Sequence, residues 1–151
     1  MFHADLFNVI LNIMYRFSLL LILLSPILSL SQGLIGKNEK DVVSRVKTAF
    51  SNKISEVSRT YTTDGTLVVA WDNYDTKCFQ AVYFNKGGIA SVETTRPENV
   101  SGLNSYIEFY DKMCVKISDT EWKWYLAGKT YRIKLLYNET TRYTFYLSLW
   151  D

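Results

Sequence analysis

The strongest constraint on the fold is a hydrophobic period that switches between 3.6 and 2 residues, and does so twice along the chain. Apolar residues recur at helical spacing over 39–52 and again over 100–113. Each helical pattern precedes four stretches of alternating apolar and polar residues: 56–62, 66–72, 77–84 and 88–94, then 114–117, 121–126, 130–137 and 142–150. The order α-ββββ-α-ββββ predicts an α+β fold.

The alternation also predicts how the layers are arranged. Tyr131, Ile133 and Leu135 alternate with Arg132 and Lys134, so one side of this strand packs and the other contacts water. Two arrangements fit: one large antiparallel meander sheet with both helices on its apolar face, or two small sheets side by side. We favour the single two-layer sheet because a chain of about 120 residues buries a larger fraction of its surface in one core than in two small ones.

An apolar run near the start of the chain predicts export. Residues 17–30 are largely aliphatic, Arg16 precedes them, and the small residues Ser29 and Ser31 suit a cut before Gln32. The run is shorter than the roughly 20 residues that span a membrane as a helix. We therefore expect residues 1–31 to be a signal peptide, with Met14 as an alternative start, and residues 32–151 to be one domain in the periplasm or outside the cell.

The alternative is an uncleaved anchor over 6–30, and it would place Arg16 in lipid at a cost of roughly 2.5 to 3.5 kcal/mol. Contact with a membrane is thus expected only through this segment, and only if it stays uncut.

The single histidine restricts the chemistry that the exported chain can perform. His3 lies in the segment that we expect to be removed. Its loss excludes Ser-His-Asp and Cys-His nucleophilic sites and histidine-ligated zinc. We predict no metal and no cofactor. The formal net charge is +2 and the basic residues are scattered among acids, which argues against a nucleic-acid partner.

Cys78 and Cys114 are the two cysteines of the chain. In an oxidising compartment they could form one disulfide, which would stabilise the fold by roughly 3 to 4 kcal/mol. The alternative is a pair of buried thiols that pack as small apolar side chains. The sequence leaves both open because it does not give the separation of the two Cα atoms.

Aromatic residues near the carboxyl end are the candidate binding residues. Trp122 and Trp124 share one side of the strand over 121–126, where they could form a stacking platform for a sugar or peptide, or could belong to the core. Tyr125 lies on the other side, and Trp150 falls in the outward register of the last strand. Glu108 and Asp111, three apart on the second helix, are either an acid and base pair or a solvated face.

The stretch "LIGKNEKDVVSRV", residues 34–46, resembles the opening of small bacterial envelope domains of the BamE and beta-lactamase-inhibitor-protein kind. There, a glycine, a capping residue, acids and a valine begin a helix ahead of a meander. The whole chain also looks like short exported proteins of the Bacteroidota type. The resemblance implies binding to other proteins rather than catalysis.

Together these features predict a secreted or periplasmic, non-enzymatic binding domain whose partner is an envelope protein or a glycan. Two other functions remain as alternatives. One is a carbohydrate-binding module that uses exposed aromatic residues, and the other is a glycosidase that depends on two carboxylates.

Overall fold

The computed structural model describes residues 33–150, so the predicted signal peptide and the start at Met14 lie outside the described residues. Two helices, α1 (Glu39–Phe50) and α2 (Val100–Met113), occur at the predicted places, with a short 3-10 turn at Ser51–Lys53 after α1. Eight strands follow the predicted order: β1 (Ser58–Tyr61), β2 (Leu67–Asn73), β3 (Cys78–Phe84), β4 (Ala90–Pro97), β5 (Val115–Ser118), β6 (Glu121–Leu126), β7 (Lys129–Asn138) and β8 (Arg142–Leu149). Within residues 33–150, neither helix is long and apolar enough to cross a membrane.

All eight strands belong to one antiparallel sheet, with the spatial order β1-β2-β3-β4-β8-β7-β6-β5. The single-sheet arrangement is therefore correct. The expectation of strands that follow one another in a simple meander holds only within each half, because β4 pairs with β8 rather than with β5. The second meander thus lies in reverse order beside the first, and its last strand, β8, pairs with β4 at the centre of the sheet.

Register shows which residues share a face, because partners across an antiparallel ladder project to the same side of the sheet. One row crosses all eight strands: Arg59, Val69, Val82, Glu93, Leu147, Ile133, Trp122 and Lys116. Its six central members are buried. We call this side the helix face, because the buried residues of both helices pack against it.

Helix α1 begins where the sequence predicts. The Asn38 side chain accepts a hydrogen bond from the backbone N–H of Asp41 at 2.9 Å, which satisfies one of the free donors of the first turn. Val42, Val46 and Phe50 then recur on one side of the helix and are buried against β2 and β3. Asn99 caps α2 in the same way, through the backbone N–H of Gly102.

The core on the helix face has two parts. The α1 part contains Trp71, Val82 and Phe84, and the α2 part contains Trp122, Ile133 and Phe145. Leu34 belongs to the first part and its neighbour Ile35 to the second, so this short stretch joins both parts. Aromatic rings dominate the α2 part, where Tyr110 lies 5.2 Å from Phe145 between ring centroids.

Of the two alternatives for the cysteines, the structure has the free thiols: Cys78 and Cys114 form no disulfide. The Cys78 sulfur lies 3.7 Å from the hydroxyl of Tyr106, in the middle of α2, whereas Cys114 follows the last residue of that helix. Eight residues of helix separate Tyr106 from Cys114, which is about 12 Å along the axis at 1.5 Å per residue. Cys78 is buried beside Thr76 and Tyr106, and Cys114 is half-buried at the end of α2.

Candidate functional site

The second side of the sheet, which we call the uncovered face, is packed by neither helix. A row directly beside the one described above also crosses all eight strands: Thr60, Val68, Tyr83, Val92, Ser148, Arg132, Lys123 and Val115. A small buried cluster of Val68, Ala70 and Ala81 lies on this side, packed by Phe79 and Tyr83. The rest of the row is mostly half-buried or exposed. This face is therefore a broad surface of mixed aromatic and polar character.

Basic residues outnumber acidic ones among the strand residues of the uncovered face. By register, five basic side chains project to this side, namely Arg96, Lys123, Arg132, Lys134 and Arg142. The acids are Asp72 and Glu121, and Glu121 is already paired with Arg132 at 3.1 Å. The surface therefore attracts anionic groups.

Cations lie over aromatic rings on this face. The Lys123 ammonium lies 4.5 Å from the centre of the Trp150 ring and 5.3 Å from that of Tyr125. The Arg132 guanidinium lies 4.4 Å from the Trp150 ring. Arg96 stacks in the same way on Phe79, at 4.6 Å. These pairs hold the cationic groups in place, and the Nε atom of Arg132 is itself buried.

The structure separates the four aromatic residues that the sequence singled out. Trp122 and Trp124 lie on the helix face and are 0% and 5% exposed, so they belong to the core and form no surface platform. Tyr125 is 60% exposed on the uncovered face, and Trp150, in the predicted outward register, is partly exposed beside it. Tyr125, Trp150, Lys123 and Arg132 form what we call the Trp150 patch.

The helical acids Glu108 and Asp111 have structural partners. The Trp122 indole N–H donates to a carboxylate oxygen of Asp111 at 2.7 Å, which ties α2 to β6. Glu108 lies one turn before Lys112, with 3.7 Å between the charged atoms. The solvated-face interpretation therefore describes Glu108, and Asp111 anchors the helix on the sheet.

A cleft of about 500 Å³ opens at the end of the sheet where β2 and β4 end and β3 and β8 begin. Its walls combine charged and apolar side chains, among them Asp72, Lys77, Phe79, Arg96, Glu98 and Arg142. Arg142 and Trp150 stand at opposite ends of β8, about 25 Å apart at the usual rise of a strand. The cleft and the Trp150 patch are therefore two separate sites.

Glu93 is the most unusual titratable residue of the helix face. It lies on the central strand β4, is 2% exposed, and its Oε2 atom has no hydrogen-bond partner in the described part of the chain. Burial raises the pKa of Glu93 to about 8. Burial, with a smaller contribution from the charge of Glu93, also raises the pKa of Tyr110 and that of Cys78.

Sequence reasoning missed the basic half of the Trp150 patch, the cleft and Glu93. Alternation already placed Lys123 and Arg132 on the polar side of their strands, so a signal for the patch existed. It was incomplete because the positions of Lys123 and Arg132 over the Trp150 ring depend on the strand register, which alternation alone does not give. No protein family, curated protein or solved structure matches this chain. The resemblance over residues 34–46 stays a prediction.

Proposed function

We propose that the protein is an exported, non-enzymatic binding domain that holds an acidic partner protein against the Trp150 patch. The observation that carries this proposal is the stacking of Lys123 and Arg132 over the partly exposed ring of Trp150, on a face that neither helix packs. Export rests on the apolar run that begins at Phe17.

The chemistry of the Trp150 patch favours an anionic protein over a neutral sugar. A sugar stacks on a free aromatic face, whereas the Trp150 ring already carries two cations within 4.5 Å of its centre. Arginine and tryptophan are enriched among the residues that dominate protein–protein affinity, and stacked guanidinium groups pair well with carboxylates. The basic excess of the surrounding face adds long-range attraction for an acidic surface.

The placement of the acids favours binding over glycosidase chemistry. Asp72 and Glu98 both line the cleft, but both are exposed to solvent. A glycosidase needs one carboxylic acid whose environment raises its pKa. The acid with that property, Glu93, lies on the helix face and is shielded from the cleft side of the sheet.

The proposal can be tested by site-specific photo-crosslinking. A benzoylphenylalanine introduced at Tyr125 in the full chain, expressed in its native cells, should form an adduct with one protein. The same group at Lys47, an exposed position on α1, is the matched control and should form none. The Tyr125 adduct should fall at least about tenfold when Lys123→Gln and Arg132→Gln are added, since each charged hydrogen bond contributes about 1.5 kcal/mol or more.

Two results would overturn the proposal. The first is an adduct of equal yield from the two positions, or one that persists without Lys123 and Arg132. The second is saturable binding of a neutral oligosaccharide that quenches Trp150 fluorescence equally in the wild type and in Lys123→Gln, which would establish the carbohydrate-binding alternative.

A further inference from the structure

The cleft at the end of the sheet contains charges that lack opposite partners. Lys77, Arg96 and Arg142 all line it. None of the ion pairs in residues 33–150 includes any of these three side chains, although six pairs occur elsewhere on the surface. The acids of the cleft, Asp72 and Glu98, are likewise outside those pairs. The three cations therefore face a shared space without an internal counter-charge at contact distance.

The walls of the cleft are fixed by hydrogen bonds. The turn between β2 and β3 is held by Asn73, whose side-chain oxygen accepts from the backbone N–H groups of Asp75 and Thr76. The backbone N–H of Glu98 donates to the carbonyl of Lys77 at 3.0 Å, which ties this turn to the segment before α2. Such ties lower the cost of ordering the site when a ligand binds.

The cationic groups are also positioned individually. Arg96 is stacked on Phe79, so its guanidinium is directed by the ring rather than free in solvent. Lys77 and Arg142 both have left-handed backbone conformations, with φ of 49° and 58°, which a residue with a side chain adopts only at some cost. Strained residues of this kind concentrate at ligand sites.

We propose that the cleft binds a small organic anion, with a phosphate or carboxylate group held by Arg96, Arg142 and Lys77. Guanidinium groups donate paired hydrogen bonds that match the oxygens of either group. Phe79, Pro97 and Tyr74 supply an apolar wall for the rest of the ligand. A volume of about 500 Å³ lies within the range of small-molecule sites. The site is independent of the Trp150 patch.

The test uses phenyl phosphate and inorganic phosphate as probes for the full-length protein, followed by amide NMR shifts at physiological salt. Phenyl phosphate should give saturable shifts at Lys77, Cys78 and Arg96, and it should bind more tightly than inorganic phosphate. Arg96→Gln and Arg142→Gln should each weaken binding about tenfold, the effect expected for one charge-assisted hydrogen bond. Lys86→Gln, at an exposed turn at the opposite end of β3, is the matched control and should bind as the wild type does.

Lys77→Gln is the reserve variant if an arginine substitution prevents folding, because Lys77 is exposed. Shifts that rise linearly without saturation would overturn the proposal. So would equal affinity in the arginine variants and in Lys86→Gln. Equal binding of the two probes would overturn the assigned class of ligand. Loss of binding in the cleft variants with an unchanged photo-adduct at Tyr125 would separate this site from the Trp150 patch.

Discussion

The two faces of one sheet use aromatic residues differently. On the helix face, rings pack against rings: Tyr110 lies 5.7 Å from Trp122 and 5.2 Å from Phe145, and all three are buried. On the uncovered face, rings lie under cations, as Trp150 does beneath Lys123 and Arg132. The same residue type therefore stabilises the fold on one side and organises a charged surface on the other.

The difference follows from access to water. A fully buried aromatic residue removes 150–250 Å² from solvent, which dominates the energetics of a core. A cation over an exposed ring contributes only about 0.5 to 1 kcal/mol, since both groups stay largely hydrated. The stacked side chains of the Trp150 patch thus contribute little to stability, and they can change partners when another molecule binds. Three predictions test how the two faces differ in their contribution to stability.

The first prediction compares neighbours on β8 that project to opposite faces. Phe145→Ala should lower the free energy of unfolding by about 3 to 5 kcal/mol, because it leaves a cavity among Tyr110, Trp122 and the sheet. Tyr146→Ala, on the uncovered face, should cost about 1 kcal/mol or less. Urea denaturation measures both. Equal losses would contradict the contrast between the faces, and Phe145→Leu provides a milder variant if Phe145→Ala does not fold.

The second prediction concerns the buried carboxyl of the helix face. The pKa of Glu93 rises from 4.5 when exposed to about 8 in the folded protein. Below pH 4.5 the group is protonated in both states. Between pH 4.5 and 8 the unfolded chain loses the proton first, so stability falls as the pH rises and levels off above about pH 8.

Glu93→Gln keeps the shape of the neutral acid and removes this titration. Near pH 4 the variant should match the wild type. At pH 9 it should be more stable by up to about 5 kcal/mol, because the pKa of Glu93 rises from 4.5 to about 8 and each unit of difference corresponds to about 1.36 kcal/mol. Tyr110 and Cys78, whose pKa values are raised by burial and by Glu93, face the same region and remain neutral over most of this range. Parallel stability curves for the two proteins would show that Glu93 is not buried as described.

The third prediction tests the attachment of α2 to the helix face. Asp111→Ala removes the acceptor of the Trp122 indole N–H, and it should cost about 1 kcal/mol, the usual net value of one hydrogen bond. Glu108→Ala, on the same helix and exposed, is the matched control and should cost less than about 0.5 kcal/mol. Thermal melts of the two variants distinguish them, and an identical shift would indicate a general helix effect instead of this bond.

Local pattern predicted the elements well. Helix α2 and strand β6 have the bounds that the sequence indicated, and α1 begins at the predicted residue, Glu39. These features depend on residues within one or two turns of each other, so a single stretch of sequence contains the information. The division of β7 into a packed and a wet side was also correct over residues 131–135, because alternation along a strand fixes it.

Contacts between distant parts of the chain could not be read in this way. Nothing in the residues of β4 indicates that β8 rather than β5 is its neighbour, since alternating patterns pair equally well with either. The features that depend on this pairing were missed: the place of Glu93 at the centre of the sheet, and the cleft where β8 begins next to the end of β4.

The pairing of β4 with β8 has a consequence for how the chain assembles. Strands β1 to β4 can pair through consecutive hairpins as soon as they are synthesised. The free edge of β4 stays unpaired until residues 142–149 have been synthesised and form β8. Pairing two segments some fifty residues apart is slow because a long loop must close first. During this time a newly synthesised chain has a half-formed sheet in which β4 is an unpaired edge strand. In that interval the molecule should depend most on chaperones that mask such edges.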